Sequence, residues 1–377
     1  MKRFVLVGFF WVCPLFASDE LRGLVVPVVK TAVGQGGDSS AVHAATLQVR
    51  QPTEWTVLQR DGRGRALLRV DCASTGVADE TVEMRVLDRQ SGQVAAGWTA
   101  LARGEGLFRA SCSLPAGWYR IEIRSKLAGA VVASCEVGRV GIGEVFVTSG
   151  QSNAGNYGNP VQHARDERVA TCDYKTGLWR HADDPEPGAE GQGGSPWPVL
   201  GDLLVKKLDV PVGFICTAVG GTEVSQWIPS GLHYPRLRQS LQLAGPHGVR
   251  AVLWHQGESD SIAGTSTDDY ARLLEQVIAQ SRVDAGWPVP WGVALASYHP
   301  KRKATADRQR AVIAAQRKVI ADYSGVFKGA ATDSFHERGL LADSVHFNAE
   351  GLAAHAQGWA DALTAAFYQT GPVRIDK

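Results

Sequence analysis

The sequence predicts a mixed α/β protein: a mostly parallel sheet with helices on both faces, preceded by a smaller antiparallel β-sandwich. Two observations support this. From about residue 40 to residue 140, apolar residues recur with a period of two, as in half-buried antiparallel strands. Beyond residue 140, short apolar runs alternate with segments of helical period, the rhythm of a parallel sheet with crossover helices. The 377 residues suffice for roughly two domains of about 150 residues each. The expected boundaries are a signal segment at 1–18, a β-sandwich accessory domain at 19–140 and a catalytic domain at 141–377.

The first element is an export signal. Lys2 and Arg3 form a basic start, Phe4 to Phe16 is apolar, and Ala17 and Ser18 offer small residues for cleavage. The run is too short for a comfortable membrane span and Pro14 interrupts it. No other segment is apolar for long enough to cross a bilayer. A secreted or periplasmic location follows. Removing the signal takes Cys13 and leaves Cys72, Cys112, Cys135, Cys172 and Cys216, an odd set that cannot all pair internally. Export permits a disulfide, and Cys72, Cys112 and Cys135 share one region. Cys216, in an apolar run, reads as a buried free thiol.

In the second element, Val82, Met84 and Val86 alternate with Glu83 and Arg85, and Tyr119, Ile121 and Ile123 alternate with Arg120, Glu122 and Arg124. Leu47 and Val49 repeat the pattern. Turns such as Asp61-Gly62-Arg63-Gly64 and Pro115-Ala116-Gly117 separate the runs, as in a sandwich. No acid–base motif gathers here.

In the third element the apolar runs are Val145 to Val147, Val212 to Ile215, Ala251 to Trp254, Gly292 to Ala296 and Phe327 to Ala331. Helical faces lie between and after them: Tyr270, Leu273, Leu274, Val277 and Ile278; Val312, Ile313, Val319 and Ile320; and Leu352, Ala356, Trp359 and Leu363. Ser195-Pro196 reads as an N-cap followed by proline at the first helical position. In such sheets, sites form outside the carboxyl ends of strands. The Gly- and Pro-rich segment Asp183 to Trp197 reads equally as cleft wall or as solvated loop.

Composition narrows the function. There are 39 Lys and Arg side chains against 38 Asp and Glu, a formal net charge of +1. That balance argues against a phosphate-tracking nucleic-acid surface. No Cys or His pair has zinc-site spacing, so no metal and no cofactor are expected.

Polar motifs follow the runs. Gly150-Gln151-Ser152-Asn153-Ala154-Gly155 follows the first, Gly220-Gly221-Thr222 the second and His255-Gln256-Gly257-Glu258 the third. Late in the chain stands Asp343-Ser344-Val345-His346-Phe347. Acyl transfer by serine needs a hydroxyl, a base, a group orienting the base and donors aimed at the developing oxyanion. Asp343 three residues before His346 can place a carboxylate against Nδ1. A Gly-Gly pair lets backbone approach a ligand closely.

In order and residue type these blocks resemble the SGNH, or GDSL-like, hydrolases, in particular their sialate O-acetylesterase and acetylxylan esterase branch. The resemblance covers roughly residues 140 to 370 and implies a flavodoxin-like domain. It implies Ser152 as nucleophile, His346 as general base and then acid, and Asp343 as its orienting carboxylate. Oxyanion donors would be the backbone N–H groups of Ser152 and Gly221, with the Gln256 side chain where many relatives use asparagine. Gln151, Asn153 and Thr222 are assigned to substrate binding. Glu258 reads either as a second partner of His346 or as a buried acid holding the strand-end loops. Sharing is the expectation, because Glu258 stands two residues past Gln256.

The expected activity is removal of acetyl groups from a carbohydrate through an acetyl-serine intermediate. An acetylated carbohydrate would be the partner, with no nucleic acid and no membrane span. The alternatives are an esterase of a non-sugar acyl ester or an inactive carbohydrate-binding protein. The α/β-hydrolases use G-x-S-x-G, which is absent around Ser152. Trp197 and Trp227, in Gly- and Pro-rich loops, read as core residues or as platforms for a sugar ring.

Overall fold

The structure is a computed structural model and describes residues 45–368. The expected signal segment, 1–18, lies outside the described residues. Nine strands come first: β1 (Leu47–Gln51), β2 (Thr56–Gln59), β3 (Arg65–Ser74), β4 (Thr81–Asp88), β5 (Val94–Ala100), β6 (Ala102–Gly104), β7 (Leu107–Pro115), β8 (Gly117–Leu127) and β9 (Ala130–Gly150). β1, β3, β7 and β6 form a four-stranded antiparallel sheet. β4 pairs antiparallel with β5 and β8, and β8 with β9.

The period-two pattern explains this packing. Val82, Met84, Val86, Ile121 and Ile123 face inward and join Leu68, Val70 and Leu114 of the four-stranded sheet in one apolar cluster. The intervening polar residues face outward and pair across strands, Arg124 with Glu83 and Arg85 with Glu122, each at 2.7 Å. The cysteines of this region form no disulfide, and all five described cysteines are free thiols.

β9 is 21 residues long and belongs to both halves of the chain. Its first part is antiparallel to β8, its middle runs parallel to β2, and Glu144–Gly150 runs parallel between two later strands. The expected boundary at residue 140 therefore falls inside a continuous strand, not in a linker. The reason is visible in the side chains. Val137, Val140 and Ile142 feed the N-terminal core, whereas Val145 and Val147 face one later core and Phe146 the other. Burial on both faces is what a central parallel strand requires.

The remaining elements are β10 (Val169–Cys172), β11 (Trp179–His181), α1 (Trp197–Leu208), β12 (Val212–Cys216), α2 (Tyr234–Ala244), β13 (Ala251–His255), α3 (Glu258–Ala263), α4 (Thr267–Ala285), β14 (Trp291–Leu295), α5 (Ala306–Asp322), β15 (Val326–Ala331) and α6 (Ala349–Leu363). The sheet order is β11-β10-β12-β9-β13-β14-β15, parallel except for the β10–β11 pair. α1 and α6 cover one face through Leu200, Leu204, Ala356 and Trp359. α2, α4 and α5 cover the other through Leu237, Leu274, Val277 and Val312. Helix starts follow local chemistry, since the side chains of Ser266, Thr305 and Asn348 each accept a backbone N–H of the first turn. α1 starts later than expected. Its N-cap position is Pro196, and the Ser195 hydroxyl accepts Trp197 N–H at 3.4 Å while donating to Asp184 at 2.7 Å. Among the described residues no helix is long and apolar enough to cross a membrane.

From β9 the chain forms β10, β11 and β12 on one side and then crosses to β13 on the other. That reversal opens a crevice at the carboxyl ends of β9 and β13, where ligands bind in such sheets.

One charge sits in the seam between the halves. Glu144 of β9 is fully buried and is held by Arg60 at 2.7 Å, Arg250 at 2.6 Å and Gln59 at 3.0 Å. A buried carboxylate is tolerable only with such partners. Replacing it leaves two guanidinium groups unpaired. Glu144→Gln is expected to lower the unfolding free energy by about 3 kcal/mol in urea denaturation. An unchanged midpoint would mean that the seam does not depend on this charge.

Candidate active site

Gly150 ends β9 with φ +128°, and a Cβ there would stand 2.0 Å from the carbonyl oxygen of His255. Only glycine fits. Gln151 N–H then donates to that same carbonyl at 2.9 Å, and the chain turns through a short 3₁₀ segment, Ser152–Ala154. This places Ser152 on the wall of a cleft of about 780 Å³ at the carboxyl ends of the strands.

Gly221 lines the same cleft at φ +69°, with open space where a side chain would stand. Its loop is tied to the serine turn by Val219 N–H donating to Gly150 O at 3.0 Å. The N–H groups of Ser152 and Gly221 have no protein acceptor among the described residues. Both are therefore available to an oxygen in the cleft.

His346 reaches the cleft from the loop before α6. Its Nδ1 donates to Asp343 Oδ2 at 2.8 Å. Asp343 Oδ1 accepts the N–H groups of Val345 at 2.6 Å and His346 at 2.7 Å. Partial burial opposes ionisation of Asp343, but these donors outweigh it and hold the carboxyl below its usual range. The ring is thereby oriented with Nε2 free, and Tyr157 stacks on it at 5.3 Å between centroids. No hydrogen bond joins His346 to Ser152 Oγ directly. Such contacts commonly tighten only once substrate is bound.

Four residues stand elsewhere than the sequence suggested. Gln256 is buried, and its amide N–H groups go to Thr222 O at 2.9 Å and Asp260 Oδ2 at 2.5 Å. With its donors engaged below the cleft, it is not an oxyanion donor. Glu258 is also buried and does not touch His346. Its Oε1 accepts from Asn153 Nδ2 at 3.1 Å and His255 Nε2 at 3.2 Å. Asn153 is no substrate contact either, because its amide spans Glu258 and Val345 O, the latter at 3.3 Å. Thr222 is buried, with its hydroxyl donating to Val219 O and accepting from Trp227 Nε1. Of the residues assigned to substrate binding, Gln151 alone lines the cleft.

The third block instead begins a buried polar chain. Trp359 Nε1 can only donate, so His355 Nε2, 2.9 Å away, must accept. His255 Nδ1 lies 3.0 Å from that same atom, and its Nε2 lies 3.2 Å from Glu258 Oε1. Burial pushes the Glu258 carboxyl up, but the His255 charge, its hydrogen bond and the Asn153 amide pull it down further, to a net fall.

The sequence reading missed Tyr157, and it missed His299, Lys301, Lys303 and Arg308, which form one side of the cleft. The last four follow the fourth apolar run, so the strand-end rule that found the other blocks also reaches them. Burial, reinforced by the Lys301 charge, lowers the His299 pKa. Trp197 and Trp227 are fully buried core residues, not sugar platforms. The Asp183 to Trp197 segment packs behind the serine turn, with Asn156 N–H donating to Glu190 O at 2.8 Å.

Comparison with known proteins agrees with this architecture. A family profile described as carbohydrate esterase, sialic acid-specific acetylesterase, matches residues 142–365. A probable carbohydrate esterase of Arabidopsis thaliana is 29% identical over 79 residues, which span 20% of this chain and 30% of that relative. A carbohydrate acetylesterase of Xanthomonas citri superposes with a TM-score of 0.56 at 16% identity, over 84% of this chain and 74% of that one. The last likeness concerns the fold, a mixed α/β architecture with a largely parallel sheet.

Glu258 should matter for stability more than for chemistry. Glu258→Gln removes the buried carboxylate that meets both the His255 ring and the Asn153 amide, so unfolding free energy should fall by about 2 kcal/mol. The turnover number should stay within about tenfold of wild type. A stable variant with turnover reduced about a thousandfold would instead return Glu258 to the reaction.

Proposed function

The chain belongs to the sialic acid-specific acetylesterase family of carbohydrate esterases, and from that premise we propose that it is a serine esterase removing O-acetyl groups from a carbohydrate. The observation that carries the reading is the meeting of Ser152, Gly221 and His346 in one cleft, with His346 Nδ1 bound to Asp343. The polar lining, which includes Glu223, Ser259, Lys301 and Lys303, suits a hydroxyl-rich ligand better than a lipid chain.

In the proposed reaction, His346 Nε2 takes the Ser152 Oγ proton as Oγ attacks the acetyl carbonyl carbon. The carbonyl oxygen becomes an oxyanion between the N–H groups of Ser152 and Gly221. Collapse breaks the bond to the sugar oxygen, which leaves with the proton from Nε2. Water repeats the sequence. Its proton goes to Nε2, its oxygen attacks the acetyl carbon, and Ser152 departs reprotonated as acetate is released. Asp343 keeps Nδ1 protonated and stabilises the imidazolium. Tyr157 limits rotation of the ring.

We extend the proposal to the rest of the chain. The basic start and apolar run from Lys2 to Phe16 support export to the periplasm or beyond. The strands before residue 140 support an accessory β-sandwich that buttresses the long β9.

Turnover of p-nitrophenyl acetate, and acetyl release from a panel of acetylated glycans, tests the reading. Ser152→Ala should lose on the order of 10⁶ in kcat with unchanged folding. Asp343→Asn should lose up to about 10⁴, because the ring then adopts the wrong tautomer. Unchanged turnover in Ser152→Ala would remove the proposal.

A further inference from the structure

The half-buried ring of Tyr157 is held on three sides. Its backbone is clamped against the Gly-rich segment before α1. Asn156 N–H donates to Glu190 O at 2.8 Å, and Gly158 and Gly194 exchange backbone hydrogen bonds at 2.8 and 2.6 Å. A Cβ at Gly191 would stand 2.9 Å from the ring, and one at Gly220 would collide with the hydroxyl. Both glycines thus admit the ring by lacking a side chain. The His346 imidazole closes the third side, 24° from parallel. The Tyr157 hydroxyl is thereby fixed on the cleft wall beside Gly220 and Gly221. It has no hydrogen-bond partner among the described residues, nor is it among the side-chain atoms sealed from solvent without a partner. Partial burial, reinforced by the Glu190 charge, raises its pKa, so it stays a neutral O–H. Packing against His346 alone would be served equally well by phenylalanine.

We propose that Tyr157 Oη is a specificity-determining contact, hydrogen-bonded to a free hydroxyl of the sugar that carries the acetyl ester. The inference rests on the serine esterase reading above and names a side chain that reads the sugar rather than the acetyl group. In that reading His346 hands its proton to the departing sugar oxygen, so a ring stacked on His346 stands on the leaving-group side of the cleft. A phenol both donates and accepts, which matches a sugar hydroxyl in either orientation. The ring is fixed before substrate arrives, so little side-chain freedom is lost on binding.

Tyr157→Phe tests this, because it keeps the ring on His346 and removes only the hydroxyl. Wild type, Tyr157→Phe and Ser152→Ala are compared for kcat and KM on p-nitrophenyl acetate, acetylated xylan and O-acetylated sialic acid, with thermal midpoints recorded. The expected result concerns the glycan that wild type turns over best. Its kcat/KM should fall about tenfold relative to that of p-nitrophenyl acetate, chiefly through KM, at an unchanged midpoint. If Tyr157→Phe does not fold, Gly220→Ala displaces the hydroxyl with the tyrosine retained and is held to the same expectation. An unchanged ratio, or an equal loss of kcat on glycan and p-nitrophenyl acetate, overturns the inference while the loss in Ser152→Ala leaves the esterase reading intact. Hydrolysis of p-nitrophenyl acetate with neither glycan deacetylated also overturns it. Full activity in Ser152→Ala overturns both.

Discussion

The close approach of β9 to β13 at Gly150 is the constraint on which the site depends. The His255 carbonyl oxygen occupies the position of a Cβ at Gly150 and also accepts the Gln151 N–H. Two strand ends are thereby joined just past the last sheet pair, His255 opposite Gly150. The chain must then turn sharply, and the turn sets Ser152 on the cleft wall with its N–H free. Any other residue at Gly150 would push the strands apart and move Ser152, the adjacent amide and the third block together.

The polar residues beneath the cleft act as a scaffold and not as extra catalysts. Trp359, His355, His255 and Glu258 form a chain from α6 to the start of α3. Asn153 continues it to Val345 O, next to His346. The loop bearing the histidine is thus anchored to the turn bearing the serine through buried hydrogen bonds. A second sequence-distant clamp, Glu144 with Arg60 and Arg250, fixes the root of the same strand. Low dielectric makes both arrangements costly to leave half satisfied, which favours a single geometry.

Much of this was legible in the sequence, because the signals were local. The five apolar runs became β9, β12, β13, β14 and β15, and Asp343 reached His346 across a spacing of three. What failed were readings that needed side-chain direction. Gln256 and Glu258 follow a strand end just as Ser152 does, yet both turn under the cleft, where Asp260, Tyr270 and His255 compete for them. Strand-end position cannot separate a residue facing the ligand from one bracing the floor. The continuity of β9 was also hidden, since Gly141 and Gly143 resemble a linker and are instead sites of close packing against Pro211.

The central claim is that Ser152 becomes acylated. Rapid quenching of the wild-type protein during turnover of an acetyl ester, followed by peptide mass analysis, tests it most directly. The account predicts an acetyl increment on the peptide containing Ser152, absent from unreacted protein and chased away by water before the quench. An increment on a different residue, or turnover with no covalent species at any quench time, would contradict it.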